Sequence, residues 1–311
     1  MIRAHFGHAL LALLAGLLVV TQSRINGQLS SEIGDGLFAA VVSFAVGLLV
    51  LIVLVALRGQ DRRAFHALPM HLRVGDLSWW MLIGGLGGAT LVAAQGIGVP
   101  VIGVALFSVA LVAGQTTNAL VVDHFGLGPK GVAVVTPARM TGAACAVIAV
   151  VVAVSGRSGT GDFALGLVVF ASIAGALVAA QQAVNGRVAA ATGRPAVAGL
   201  VNFLAGFAGL VLVWLVTQHH AVALPGFFEK PVLYLGGPLG VAFIVMAAVV
   251  VRTLGVLLFG MLAVAGQLVG ALVFDLVIPT PGTALSWQLV AGTVLTFVGV
   301  AIAAGAPRSR T

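Results

Sequence analysis

The chain has 311 residues, of which 60% are hydrophobic and 7% charged, and its formal net charge is +7. A soluble domain carries about 25% charged residues, so most of this chain must be solvated by lipid. The 15 basic residues are spread thinly over loops without interleaved aromatics, which argues against a nucleic-acid partner.

A helix needs about 20 mostly apolar residues to cross the hydrocarbon of a bilayer. The first such stretch follows Arg3 and imitates a signal peptide, but no small-x-small cleavage site follows it convincingly. It is read as a retained first span, residues 7–26. Nine more follow at 36–57, 79–98, 101–122, 132–155, 163–184, 196–217, 232–250, 255–274 and 286–305. Breaks are expected at Gly98-Val99-Pro100 and at Pro279-Thr280-Pro281-Gly282. No long polar loop leaves room for a soluble domain. Cys145 lies inside an apolar run and reads as a small buried hydrophobe.

Lys and Arg near helix ends prefer the cytoplasmic side. With the N-terminus inside, Arg3, Arg58, Arg62, Arg63, Arg73, Lys130, Arg139, Arg187, Arg194, Arg252, Arg308 and Arg310 all fall inside, and only Arg24, Arg157 and Lys230 fall outside. The expectation is an all-α membrane protein of ten transmembrane helices with both termini cytoplasmic.

The chain repeats itself. Gln22, Asn26, Gly27, Gly34, Phe44 and Gly47 recur 159 residues later as Gln181, Asn185, Gly186, Gly193, Phe203 and Gly206. Gly84, Gly85, Gly88, Gly103, Ala113-Gly114-Gln115 and Asp123 recur 152 residues later as Gly236, Gly237, Gly240, Gly255, Ala265-Gly266-Gln267 and Asp275. The Gln, Asn and Asp matches carry the weight, because such residues are costly in lipid. Two five-helix units are expected, 1–157 and 158–311. An odd helix number per unit turns the second upside down relative to the first, the inverted-repeat plan of many secondary transporters.

The run Gln22-x-x-x-Asn26-Gly27, Phe44-x-x-Gly47, Trp79-Trp80 with Gly84-Gly85, Gly103-Val104-Ala105-Leu106-Phe107, Ala113-Gly114-Gln115 and Asp123-His124-Phe125-Gly126 resembles the YdcZ-type family of the drug/metabolite transporter superfamily. The resemblance covers nearly the whole chain, once per half, in the manner of a fused pair. It implies export or exchange of a small metabolite or drug-like molecule across the bacterial inner membrane, without naming the substrate. The halves differ in places: Ser43 becomes Asn202, Asn118 becomes Gly270, and Trp79-Trp80 has no counterpart beside Tyr234.

A polar side chain inside a span must find a partner or face water. Gln22 with Asn26, and Gln181 with Asn185, are spaced i, i+4 and so share one helix face. They line a cavity or hydrogen-bond between helices. Gln115 with Asn118, and Gln267, lie deeper, and Gln95 and Asn202 are further candidates for substrate binding. Asp123 and Asp275 end the fourth and ninth spans and read as solvated termini or partners for a nearby Arg, or as gating or coupling groups together with Arg252. The first span has no acid, so proton-driven export of lipophilic cations through a glutamate there is not expected. Gly84-x-x-x-Gly88, Gly236-x-x-x-Gly240 and Gly266-x-x-x-Gly270 are packing motifs.

An enzyme needs a convergent catalytic set. The seven histidines are scattered, and no H-E-x-x-H motif or Cys pair exists. A channel or a scaffold stays open as an alternative. No cofactor and no metal is expected. The expected partners are a small-molecule substrate, the bilayer and a coupling ion, proton or sodium. Monomer and homodimer are both open.

Overall fold

The structure is a computed structural model that describes residues 2–129, 131–132, 134–156, 161–217, 224–226, 229–279 and 285–305. Side chains are described for these except at 2–5, 248–249, 251–258 and 304–305. Lys130, Arg157, His219-His220, Thr280-Pro281-Gly282, Arg308 and Arg310, and the side chains of Arg3 and Arg252, therefore lie outside the described residues.

Among the described residues the regular structure is entirely helical: α1 (Ile2–Ile33), α2 (Gly36–Leu57), α3 (Gly59–His66), α4 (Leu68–Arg73), α5 (Gly85–Ile102), α6 (Val104–His124), α7 (Pro137–Ser155), α8 (Asp162–Thr192), α9 (Pro195–Thr217), α10 (Gly236–Val277) and α11 (Trp287–Gly305). Short 3₁₀ turns at Trp79–Ile83 and Pro231–Tyr234 lead into α5 and α10. Eight described stretches are long and apolar enough to cross a bilayer, and two shorter apolar helices, Gly236–Ala247 and Trp287–Ala303, accompany them. A belt of exposed aliphatic side chains, Leu49, Ile52, Val53, Val151, Val169 and Val216 among them, meets lipid.

Local sequence explains the helix ends. Gly34 takes φ +76 after α1 and Gly193 takes φ +66 after α8, the left-handed conformation that glycine adopts without strain. Asp35 then caps α2, accepting from Leu37 N and Phe38 N at 2.9 Å each. Its second oxygen accepts from Trp214 Nε1 of α9 at 3.0 Å. Helix α1 runs past its expected end at residue 26, which brings Glu32 into its last turn.

One expectation needs correction. The break after the third span is not at Gly98-Val99-Pro100. Pro100 lies inside α5, and the chain turns one residue past Ile102, at Gly103 with φ +75. With ψ 164 this is a conformation that only glycine ordinarily adopts, and an L side chain is strained there by roughly 1–3 kcal/mol. Gly103→Ala is therefore expected to lower the thermal midpoint of the purified protein, and an unchanged midpoint would show that the turn is not strained.

The expected eighth and ninth spans fall within one stretch, α10, which is helical over 42 residues. Yet the Phe243 and Phe259 rings lie 6.2 Å apart, whereas sixteen residues of straight helix span about 24 Å. The path therefore folds back. One arm descends along α1, with Gly236 beside Asn26 and Gly240 beside Gln22. The other returns along it, with Gly266 beside Leu13 and Gly270 beside Leu17. The α5–α6 pair does the same along α8: Gly84 and Gly88 meet Asn185 and Gln181, and Gly114 meets Ser172.

The core sits where these arms meet. The first half of α6 is buried on every face, with Val104, Leu106, Phe107, Val109 and Leu111 all 0% exposed. It packs against α8, α7 and the second arm of α10 through Ala171, Ala174, Ala149 and Leu268. Between α2 and α9, Phe44 and Phe203 stack with centroids 4.8 Å apart. Each ring fills the space over a glycine of the opposite helix, Phe44 over Gly206 and Phe203 over Gly47.

Candidate functional site

The polar side chains of the spans fall into two clusters. In the first, Ser23 and Asn26 of α1 meet Gln95 of α5, Asn26 with Ser43 of α2 lies against Gly236, and Gln22 lies one turn on against Gly240. Asn26 and Gln95 are both 0% exposed. Asn26 Nδ2 donates to Gln95 Oε1 at 2.7 Å, and Gln95 Nε2 donates to Ser23 Oγ at 2.9 Å. Ser23 Oγ in turn donates to the Val19 carbonyl at 2.9 Å. Asn26 Oδ1 and Ser43 Oγ are buried without a hydrogen-bond partner. They flank the backbone of Gly236, where a Cβ would overlap Asn26 Oδ1 and lie 2.8 Å from Ser43 Oγ.

The second cluster repeats the first with different chemistry. Asn185 Nδ2 of α8 donates to Asn202 Oδ1 of α9 at 2.9 Å. Gln181 Oε1 is buried without a partner and faces Gly88, where a Cβ would lie 2.8 Å away. Asn202 stands where the first half has Ser43, and it supplies the partner that Gln95 supplies to Asn26.

The deeper amides lie apart from these clusters. The half-buried Gln115 meets α8 at Gly175 through its backbone, and Asn118 Nδ2 donates to the Ala176 carbonyl at 2.6 Å. Gln267 is 5% exposed, sits beside Gly16, and leaves Nε2 unpartnered. Six residues separate Gly16 from Gln22, about 9 Å along α1. The four unpartnered atoms, Asn26 Oδ1, Ser43 Oγ, Gln181 Oε1 and Gln267 Nε2, are costly in a low-dielectric interior. A hydrogen-bonding solute or water would relieve that cost.

The two helix-terminal carboxylates take different partners. Asp123 forms an ion pair with Arg139 of α7. Asp275 is buried and accepts from Val104 N at 3.2 Å and Ala105 N at 2.8 Å, capping α6 from the far end of α10. Among the described residues no group of three or more His, Cys, Asp or Glu side chains is placed to hold a metal ion.

A cavity of about 630 Å³ opens where α1 and α5 end. Arg24, Gly27, Gln28, Ser31, Glu32, Val99 and Pro100 form one wall, and Glu229, Lys230, Pro231, Val232 and Leu233 the other. Lys230 Nζ bridges it to Glu32 at 2.6 Å.

Sequence reasoning singled out neither Ser23 nor the cavity wall as functional, and it recorded Ser43 only as a difference between the halves. Ser43 carried a usable signal, since it aligns with Asn202 at the offset of 159. Ser23 carried none.

One solved structure, described only as "Crystal structure of protein", is similar over 95% of this chain and 96% of that one, with a TM-score of 0.61 and 20% identity. That likeness speaks to the fold alone. No curated protein matches the chain. The family described as "Putative inner membrane exporter, YdcZ" matches over residues 8–152 and again over 166–302. With two matches spanning nearly the whole sequence and apolar helices able to cross a bilayer, the chain belongs to this family of inner-membrane exporters and is a multi-pass protein of the inner membrane.

Proposed function

We propose that the chain is a secondary transporter that exports a small metabolite or drug-like molecule by alternating access. Its ten passes form two inverted five-helix repeats, 1–157 and 158–311, with both termini in the cytoplasm. It acts in transport rather than catalysis, and a monomer holds both halves.

The observation that carries this reading is reciprocity. Gln22 meets Gly240 as Gln181 meets Gly88, Asn26 meets Gly236 as Asn185 meets Gly84, and Gly266 meets Leu13 as Gly114 meets Ser172. Each half thus packs its first helix against the hairpin of the other. Two such halves in opposite orientation have two near-equivalent ways to fit, one exposing each side of the membrane. The buried unpartnered amide atoms supply hydrogen bonds to solute without a fixed charge. Gln22, Asn26, Gln95, Gln115, Asn118, Gln181, Asn185, Asn202 and Gln267 are the solute-binding candidates. Asp123, Asp275 and Arg252 are the gating or coupling candidates, with a proton or sodium as the coupling ion.

The test is a thermal-shift screen of amino acids, polyamines, sugars, nucleosides and cationic drugs on purified protein beside a Gln115→Ala, Gln267→Ala double variant. A ligand that stabilises the wild type and not the variant is expected. A ligand that stabilises both equally would remove the two glutamines from the site. A channel differs in conducting without saturation, and a scaffold in tolerating loss of the buried amides.

A further inference from the structure

Between the end of α2 and the start of α5 the chain forms the short helices α3 and α4 and the Trp79–Ile83 turn. Both α2 and α5 are spans, so this segment lies at one surface of the bilayer, the cytoplasmic one in the orientation proposed above. Its sequence is amphipathic. Asp61, Ala64, Phe65, Leu68 and Leu72 recur at helical spacing. Ala64, Phe65, Leu68 and Leu72 pack on Val184 and Val188 of α8 and Val197 and Val201 of α9. Asp61 is buried and takes Arg194 at 3.7 Å. One face of the segment is thereby pinned to the bundle. The exposed side carries Arg58, Arg62, Arg63 and Arg73. None of the four has an ion-pair partner among the described residues, and the other acid of the segment, Asp76, lies 3.1 Å from His71. Large apolar side chains stand among these cations. Met70 is 62% exposed and Val74 56%, and both lie outside every candidate span. Trp79, at the start of the next span, is 71% exposed.

We infer that this surface binds anionic phospholipid: the arginines take phosphodiester headgroups while Met70, Val74 and Trp79 enter the boundary with the acyl chains. A guanidinium suits a phosphate, because its planar fork of donors meets two oxygens at once. Tryptophan favours the headgroup level, where its ring is half in hydrocarbon and half in water. Basic side chains gathered beside a membrane attract acidic lipid. Orientation alone accounts for arginines on one side of the bilayer. It does not account for four of them on a pinned amphipathic segment among exposed apolar groups. An acidic soluble partner would match the charge but gives Met70, Val74 and Trp79 no acyl chain to meet. The sequence between α9 and α10, residues 218–235, holds one Lys and one Glu, so it offers no second basic surface of this kind. The inference needs only that α2 and α5 are spans and is independent of what the chain carries.

The test is quenching of tryptophan fluorescence by brominated lipid, with the full chain reconstituted in phosphatidylcholine vesicles. The vesicles contain equal fractions of either brominated phosphatidylglycerol or brominated phosphatidylcholine. The signal of the surface is the part of the fluorescence lost in a Trp79→Phe, Trp80→Phe variant. Half of that part is expected to be quenched at a fraction of phosphatidylglycerol about ten-fold below that of phosphatidylcholine, since each basic side chain near an anionic surface is worth roughly five-fold in affinity. Arg62→Gln combined with Arg63→Gln is expected to erase most of this preference. Salt at about 1 M is expected to do the same, because it shortens the screening length to about 3 Å. Salt needs no substitution, so it decides alone if the arginine variant fails to fold. Equal quenching by the two lipids in the wild type would overturn the inference, as would a preference that survives either treatment. Free glycerol phosphate in excess, at matched ionic strength, is expected to leave the preference intact. Its loss there would make the surface a site for soluble phosphates and overturn the assignment to lipid.

Discussion

Asn26→Leu is expected to unfold at a lower temperature than the wild type and to transport at a tenth of its rate or less. The amide is 0% exposed and hydrogen-bonded to Gln95 at 2.7 Å. Leucine has nearly the same size, so the core keeps its volume while Gln95 Oε1 loses its donor. A buried polar group left without its partner costs about 1–3 kcal/mol, and double-mutant cycles within membranes average nearer 0.6 kcal/mol. Stability alone then falls modestly. The larger loss is expected in transport, because about 1.4 kcal/mol in a barrier is already ten-fold in rate. Asn185→Leu is expected to behave alike, since it parts Asn185 from Asn202. Uptake into proteoliposomes measured beside the thermal midpoint separates the two effects. Full transport by both variants would leave these amides a purely structural part.

The largest loss of stability is expected from single methyl groups. A Cβ at Gly85 would overlap the Asn202 carbonyl oxygen and stand 2.9 Å from Gly206 N, and one at Gly237 would overlap the Ser43 carbonyl oxygen. Everything met is backbone, which cannot rotate away as a side chain would. Overpacking of a tight core costs roughly 1–3 kcal/mol per site, occasionally more. Gly85→Ala and Gly237→Ala combined are therefore expected to abolish the monodisperse peak in size-exclusion chromatography. Gly166→Ala is the control. Nothing lies within 4 Å of its Cβ, and alanine in place of glycine inside a helix gains up to about 1 kcal/mol. A double variant as stable as that control would mean that the helices do not cross this closely.

The sequence made the helices plain because lipid leaves little choice: a stretch such as Gly36–Leu57, with mean hydropathy 3.1, has no other fate. It made the repeat visible for the same reason, since Gln, Asn and Asp are too expensive in hydrocarbon to recur at a fixed offset by accident. Turns were harder. Pro100 is read as a breaker, yet a helix tolerates proline where its neighbours compensate, and the reversal falls to Gly103. The fold-back within α10 lies between Phe243 and Phe259, where the sequence leaves its gap between the spans 232–250 and 255–274 and carries Gly255, the counterpart of Gly103. Partnerships were hidden altogether. Gln95 pairs with a residue 69 positions away and Asp275 caps a helix about 170 positions away. Composition identifies an amide that needs a partner but never which one it takes.

The unequal clusters have a thermodynamic consequence. Asn26 relies on Gln95 from α5, whereas Asn185 relies on Asn202 from α9. If the halves exchange roles during the cycle, its two end states are built from non-identical hydrogen bonds and cannot be isoenergetic. Every 1.4 kcal/mol between them is about ten-fold in population, so a gap of that size would hold the unloaded protein facing one side most of the time. That preference cannot by itself drive net flux. A built-in bias is the same on every turn of the cycle and cancels around it, so the direction of export has to come from a gradient across the membrane.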